Sequence, residues 1–265
     1  MPLPLIILAL VMLGGCKADA PDDTEHRRLV VLERLPQLEK VADDIEARLP
    51  GPDVAFSSTV AAALAPFELA QLSRTKAPEH NGVVKTEPVT ATFPGGEDEV
   101  ARFVARLTKV RRPWVFEALR REEGVVAIDV VGYSFDPGTL QRSSTETPRV
   151  KEALTKLAAK GYDPARVQRL ERVSMKQAIL ADLDRRAAHA QGDLRLLVDS
   201  ASASVLPKAL TLTRTSGKKR GTIVFESKAR RARFVGEASR RGALHDAAAN
   251  ELILPSGTVC RISGG

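Results

Sequence analysis

The sequence predicts an α+β protein: a short, coiled-coil-like helical segment leading into an antiparallel sheet domain, then an αα-hairpin and a second small α+β domain. Three observations predict it. Apolar residues Val31, Leu35, Leu38, Ala42, Ile45 and Leu49 recur at alternating intervals of four and three, the signature of a helical seam. Val89, Ala91 and Phe93 then alternate with Thr90 and Thr92, and two further β-rich runs, Trp114 to Arg120 and Val125 to Phe135, follow a helical stretch. Past residue 148 the order repeats with helices first and strands after.

Taken in order, the seam reads as a helix over Pro36–Leu49, with Pro36 tolerated in the first turn and Pro50-Gly51-Pro52 stopping it. Such a seam docks on its own domain or on a partner helix; on its heptad spacing it is the candidate partner-facing surface, in a coiled-coil hetero- or homodimer. Asp53 caps a second helix through about Ser73, with Val60, Leu64, Phe67 and Leu72 inward and a kink at Pro66. A strand at Pro88–Phe93 suits a sheet edge, because proline donates no hydrogen bond. Pro94-Gly95-Gly96 turns the chain into a helix carrying Val100, Phe103, Val104, Leu107 and Val110, with Glu97, Asp98 and Glu99 at its positive end. The runs on either side of Arg121-Glu122-Glu123-Gly124 read as a hairpin with Val126, Ile128 and Val130 facing a core.

Residues 137–147, rich in Ser, Thr, Pro and Gly, read as a linker. Thr147-Pro148 and Asp163-Pro164 each open a helix. The first carries Val150, Leu154 and Leu157 to Gly161; the second carries Val167, Leu170, Val173, Leu180 and Leu183 to about Ala190. Strands are expected at Leu194–Val198, Ala209–Thr215, Gly221–Glu226, Glu251–Leu254 and Thr258–Ile262, with a helix at Lys228–Arg240.

Chemistry is sparse. The chain lacks the phosphate-loop, dinucleotide, H-E-x-x-H, C-x-x-C and G-x-S-x-G patterns. His26, His80, His189 and His245 lie far apart in polar stretches, which predicts no metal site. Ser73 and Ser216 each begin an S-x-x-K, but the companion elements that chemistry requires are missing. Paired carboxylates such as Asp43-Asp44, Glu122-Glu123 and Asp182/Asp184 sit beside Arg or Lys and read as solvated faces. The expectation is a protein that binds rather than catalyses, with no cofactor.

The net charge of +7 is concentrated. Between Lys208 and Arg241 eleven basic residues face only Glu226 and Glu237. Lys218, Lys219, Arg220, Arg230, Arg231 and Arg233 are the candidate anion-binding residues, for lipid headgroups or envelope polymers. Aromatics, at 4% of the chain, are too few to interleave with them as base-stacking platforms, which argues against nucleic acid.

Two resemblances add a location and a family. The uncharged run Leu3 to Leu13 is too short for a helix to cross a bilayer, and it ends in Leu13-Gly14-Gly15-Cys16, which resembles the lipobox of bacterial lipoprotein signal peptides. The resemblance implies a signal peptide over 1–15 and a lipidated Cys16 as first mature residue. A tether over 16–26 would follow, in the bacterial cell envelope and facing the periplasm, with Lys17 compatible with the outer membrane. Cys260 then lacks a disulfide partner. Second, residues 27–136 resemble the periplasmic region of the PilO family of type IV pilus alignment proteins and its type II secretion relatives. The seam to Leu49-Pro50, the strand Pro88–Phe93 followed by Gly95-Gly96, the Val100–Val110 helix, Arg111-Arg112 and the closing hairpin carry that resemblance. It implies a ferredoxin-like domain and a scaffold role among envelope proteins.

Overall fold

The computed structural model describes residues 21–74, 76–139, 146–202, 206–215 and 218–264. The described residues open with three consecutive helices, α1 (Pro21–Glu33), α2 (Leu35–Glu39) and α3 (Ala42–Arg48), and then α4 (Phe56–Leu64). Two short strands, β1 (Gln71–Ser73) and β2 (Glu79–Asn81), precede β3 (Val84–Pro94), α5 (Glu97–Leu107), β4 (Trp114–Glu122) and β5 (Val125–Phe135). A 3-10 turn at Pro137–Thr139 follows, and further on come α6 (Pro148–Ala159), α7 (Pro164–Ser202), β6 (Ala209–Thr215), β7 (Lys218–Val224), α8 (Lys228–Arg240), β8 (Leu244–Asp246), β9 (Glu251–Ile253) and β10 (Val259–Ser263).

The strands of both predicted units join in one mixed sheet, ordered β1-β3-β5-β4-β6-β7-β10-β9-β8, with β2 on the outer edge of β3. Paired residues share a face, so the register traces one apolar row across it. Ala91 lies opposite Ile128, Ile128 opposite Leu119, Leu119 opposite Leu210, Leu210 opposite Ile223, and Ile223 opposite Ile262. The neighbouring row on the other face is polar: Thr90, Asp129, Ala118, Thr211, Thr222, Arg261, Glu251 and Asp246. The apolar face is covered by α4, α5, the last turns of α7 and α8, which together form the larger core.

Within this sheet β3 and β4 both pair antiparallel with β5, so they run parallel to each other with β5 between them. Helix α5 makes the crossover. The hairpin turn is only Glu123-Gly124, both at positive φ, which matches the twist of the flanking strands. Pro88 sits on β3 between the segments held by β2 and β1, where the outer edge needs no donor. In the second half β7 and β10 are parallel neighbours joined through α8.

Several sequence expectations are corrected. The Pro36–Leu49 helix is two short helices, because the chain turns at Lys40-Val41, and Pro21–Glu25 of the expected tether already belong to α1. Helix α4 stops at Leu64 before Pro66, and Leu72 lies on exposed β1 rather than on a helix. Leu194–Val198 is not a strand. Leu194, Leu197, Val198 and Ala201 are buried at helical spacing and extend α7 to 39 residues, roughly 58 Å at 1.5 Å per residue. Its first half belongs to a second core with α1, α2, α3 and α6, and its last turns reach the sheet.

Candidate functional site

The seam expected to face a partner is occupied by the chain itself. Leu35, Leu38, Ala42, Ile45 and Leu49 are buried, and Val31 is partly buried against the same cluster as Val167, Leu170, Val173, Leu180 and Leu183. The partner helix is α7. Ion pairs flank the contact: Arg166 Nε donates to Glu39 at 2.8 Å, Arg169 Nη2 to Asp43 at 2.7 Å and Glu46 at 2.6 Å, and Arg48 to Asp184 at 2.6 Å. The buried apolar seam outweighs these pairs, since exposed pairs contribute about 1 kcal/mol or less. Inside, Lys176 lies 5.3 Å from the Phe135 ring centre, and burial pushes its ammonium below the ordinary lysine range.

The six candidate anion-binding residues do not converge. Lys218, Lys219 and Arg220 begin β7, whereas Arg230, Arg231 and Arg233 lie in the first half of α8, which starts beyond the opposite end of that strand. At about 3.3 Å per strand residue Lys218 stands roughly 20 Å from the far end of β7 at Val224. Arg230 pairs with Glu226 at 2.5 Å and Arg231 donates to Asn250, while Arg233 and Lys228 are exposed on α8. Cys16, Ser216 and Gly217 lie outside the described residues, as do 140–145 of the expected linker.

Among the described residues no cluster of His, Cys, Asp and Glu is arranged to hold a metal ion. Cys260 is fully buried on β10, and burial, with Asp193 nearby, pushes its thiol up to about 12. A thiol so raised is not a nucleophile at neutral pH. Asp193, buried on α7, accepts from Ser256 Oγ and Thr258 Oγ1 at 2.7 Å each, which ties the helix to the turn before β10. Ser73 ends β1, so its S-x-x-K is not borne on a helix.

The feature that sequence reasoning missed lies where α4 meets α5. Ala55 offers α4 no side-chain cap, and Glu87 on β3 supplies one from across the core: its carboxylate accepts from Phe56 N at 2.6 Å and Ser57 N at 3.2 Å. Arg74 completes the site at 3.1 Å. Burial alone would raise this carboxyl, but those donors and Arg74 together hold it below its ordinary 4.5. Arg112, only 5% exposed, donates to Tyr133 O and Val54 O and lies 5.4 Å from the Phe56 ring centre.

At the other end of α4, Arg106 of α5 donates to the carbonyls of Ala63 and Ala62 at 3.0 and 3.3 Å, which satisfies the helix C-terminus. The chain then turns at Pro66 and packs Phe67 on Phe93 and Phe103, with ring centres 4.9 and 6.3 Å apart. Arg102 lies over the outer side of Phe67 at 5.8 Å. The result is an open recess of about 370 Å³ lined by Pro66, Phe67, Arg102, Ala105, Arg106 and Lys109. Beside it Leu69 stands 85% exposed at φ +55, a backbone conformation that costs a leucine about 1 kcal/mol. A branched apolar side chain is thus held outward against both solvation and backbone preference.

No family model, curated protein or solved structure matches this chain. No helix among the described residues is long and apolar enough to cross a membrane.

Proposed function

We propose that the protein is a lipid-anchored scaffold of the bacterial cell envelope, held to the membrane through Cys16, facing the periplasm and acting through contacts with other envelope proteins. The observation that carries this reading is Leu13-Gly14-Gly15-Cys16 at the end of an uncharged apolar run too short to span a bilayer. The split arrangement β3-α5-β4-β5, with β5 between two parallel strands, supports a ferredoxin-like unit behind a helical segment. That pairing of parts is the basis for a PilO-like role in type IV pilus or type II secretion assembly. The seam residues hold α7, so envelope partners meet other surfaces, among them the polar face of the sheet. Cys16→Ser tests the anchor: the variant leaves the membrane fraction and its partners no longer co-purify with membranes. Unchanged fractionation contradicts the proposal.

A second reading, a binding module for anionic envelope polymers or lipid headgroups, is favoured by α8, where Lys228 and Arg233 are exposed in a helix carrying five basic residues and one acidic residue. Binding of an anionic polymer that weakens with salt and on Lys228→Glu with Arg233→Glu supports it; salt-independent binding contradicts it.

A further inference from the structure

We propose that the loop Pro66–Leu72 and the adjoining face of α5 form a membrane-contact site that seats Leu69 in an anionic bilayer surface. The site is independent of α8 and of the lipid anchor, and rests on the envelope reading only for its nearness to a membrane. Three observations converge on it. Leu69 is held out at positive φ, with Leu72 also exposed two strand residues into β1, so apolar area faces solvent at the tip of a tight turn. Phe67 and Pro66 continue that apolar surface into the recess. Around the recess stand Arg102, Arg106 and Lys109, spaced four and three residues apart so that α5 presents them on one side.

The charges are not equivalent. Arg106 is committed to the carbonyls of Ala62 and Ala63. Arg102 shares its guanidinium with Glu99. The Glu99 carboxylate also accepts from Gly96 N at 2.9 Å. Lys109 is exposed just past the end of α5. The loop contributes one acid, Glu68. An apolar tip bordered by cations whose aliphatic stems lie along apolar surface is the arrangement that settles at the boundary between headgroups and acyl chains. A protein partner would find a protruding Leu69, the less exposed Leu72 and an open recess, whereas a bilayer accepts a protrusion and supplies phosphate to the cations around it.

The test uses the whole chain, with its N-terminal segment present in every arm. Leu69→Trp places an indole reporter at the tip, and Trp114, buried in the core, gives a constant background measured with the native sequence. Vesicles of phosphatidylglycerol with phosphatidylcholine carrying brominated acyl chains are compared with phosphatidylcholine vesicles bearing the same label. The proposal expects the emission of the introduced indole to move to the blue and to be quenched on the anionic vesicles only. Arg102→Glu with Lys109→Glu should raise the lipid concentration for half-quenching by at least about 25-fold, at about fivefold for each cation lost. Circular dichroism checks that each variant keeps the native fold. An unquenched reporter, equal quenching on uncharged vesicles, or quenching indifferent to the double charge reversal in a folded protein would each overturn it. Failure here leaves Cys16→Ser fractionation untouched, so the contact site and the anchor are judged separately.

Discussion

Replacing Leu38 by alanine tests whether α7 is the true partner of the N-terminal seam. Leu38 is 2% exposed and sits in the cluster with Val167, Leu170 and Val173. Truncating such a leucine removes its transfer free energy and leaves a cavity that the surrounding core only partly closes, a cost of about 2–5 kcal/mol. For a chain of this size that lowers the melting midpoint by roughly 5 to 15 °C. Val41→Ala, two residues beyond α2 and 38% exposed, is the matched control and should change stability by less than about 0.5 kcal/mol. Thermal and denaturant unfolding followed by circular dichroism, with hydrogen exchange of the α2 and α3 amides, reads both. A Leu38→Ala variant that unfolds with the native midpoint while an envelope partner falls away would refute the intramolecular clasp.

Other consequences are as direct. Gly132→Ala would put a Cβ 2.0 Å from Phe56 Cγ, in the middle of the larger core, and should cost about 1–3 kcal/mol in denaturant unfolding; Phe56→Leu in the same chain should recover part of it through non-additivity. Glu87→Gln removes a carboxylate whose folded-state value is depressed, so the native chain holds that stability above the ordinary 4.5 and loses it as pH falls through the lower folded value. The variant should therefore be weaker by about 2 kcal/mol at pH 7, with the gap closing in acid; a pH-independent gap contradicts the capping role. Cys260 should resist maleimide in the folded protein at pH 8 and react only after denaturation.

Much of the fold was legible because the period of the apolar pattern is a local property. Val89, Ala91 and Phe93 give a strand, Val100 to Leu107 a helix, and Glu123-Gly124 a hairpin, without reference to distant residues. What failed depends on distance. The heptad of Val31 to Leu49 declares a helix partner but not whose, and the complementary stripe from Val167 to Leu183 lies more than a hundred residues further on. Leu194 to Val198 is apolar enough for a strand, and only its 3-1-3 continuation to Ala201 shows the helix. Two separate α+β units were expected because a single sequence does not reveal that β4 pairs with β6. Lys218 to Arg220 and Arg230 to Arg233 look like one cluster in sequence, yet a strand separates them. The recess is hidden in the sequence because the helical spacing of Val60, Leu64, Phe67 and Leu72 runs through Pro66 and passes over Leu69.

The membrane anchor is the claim on which the envelope reading stands, and the mature N-terminus tests it most directly. Mass spectrometry of the chain recovered from bacterial membranes should find an N-terminal peptide that begins at Cys16 and carries a lipid mass on that residue. An N-terminal peptide retaining residues before Cys16, with its thiol unmodified, would contradict the account.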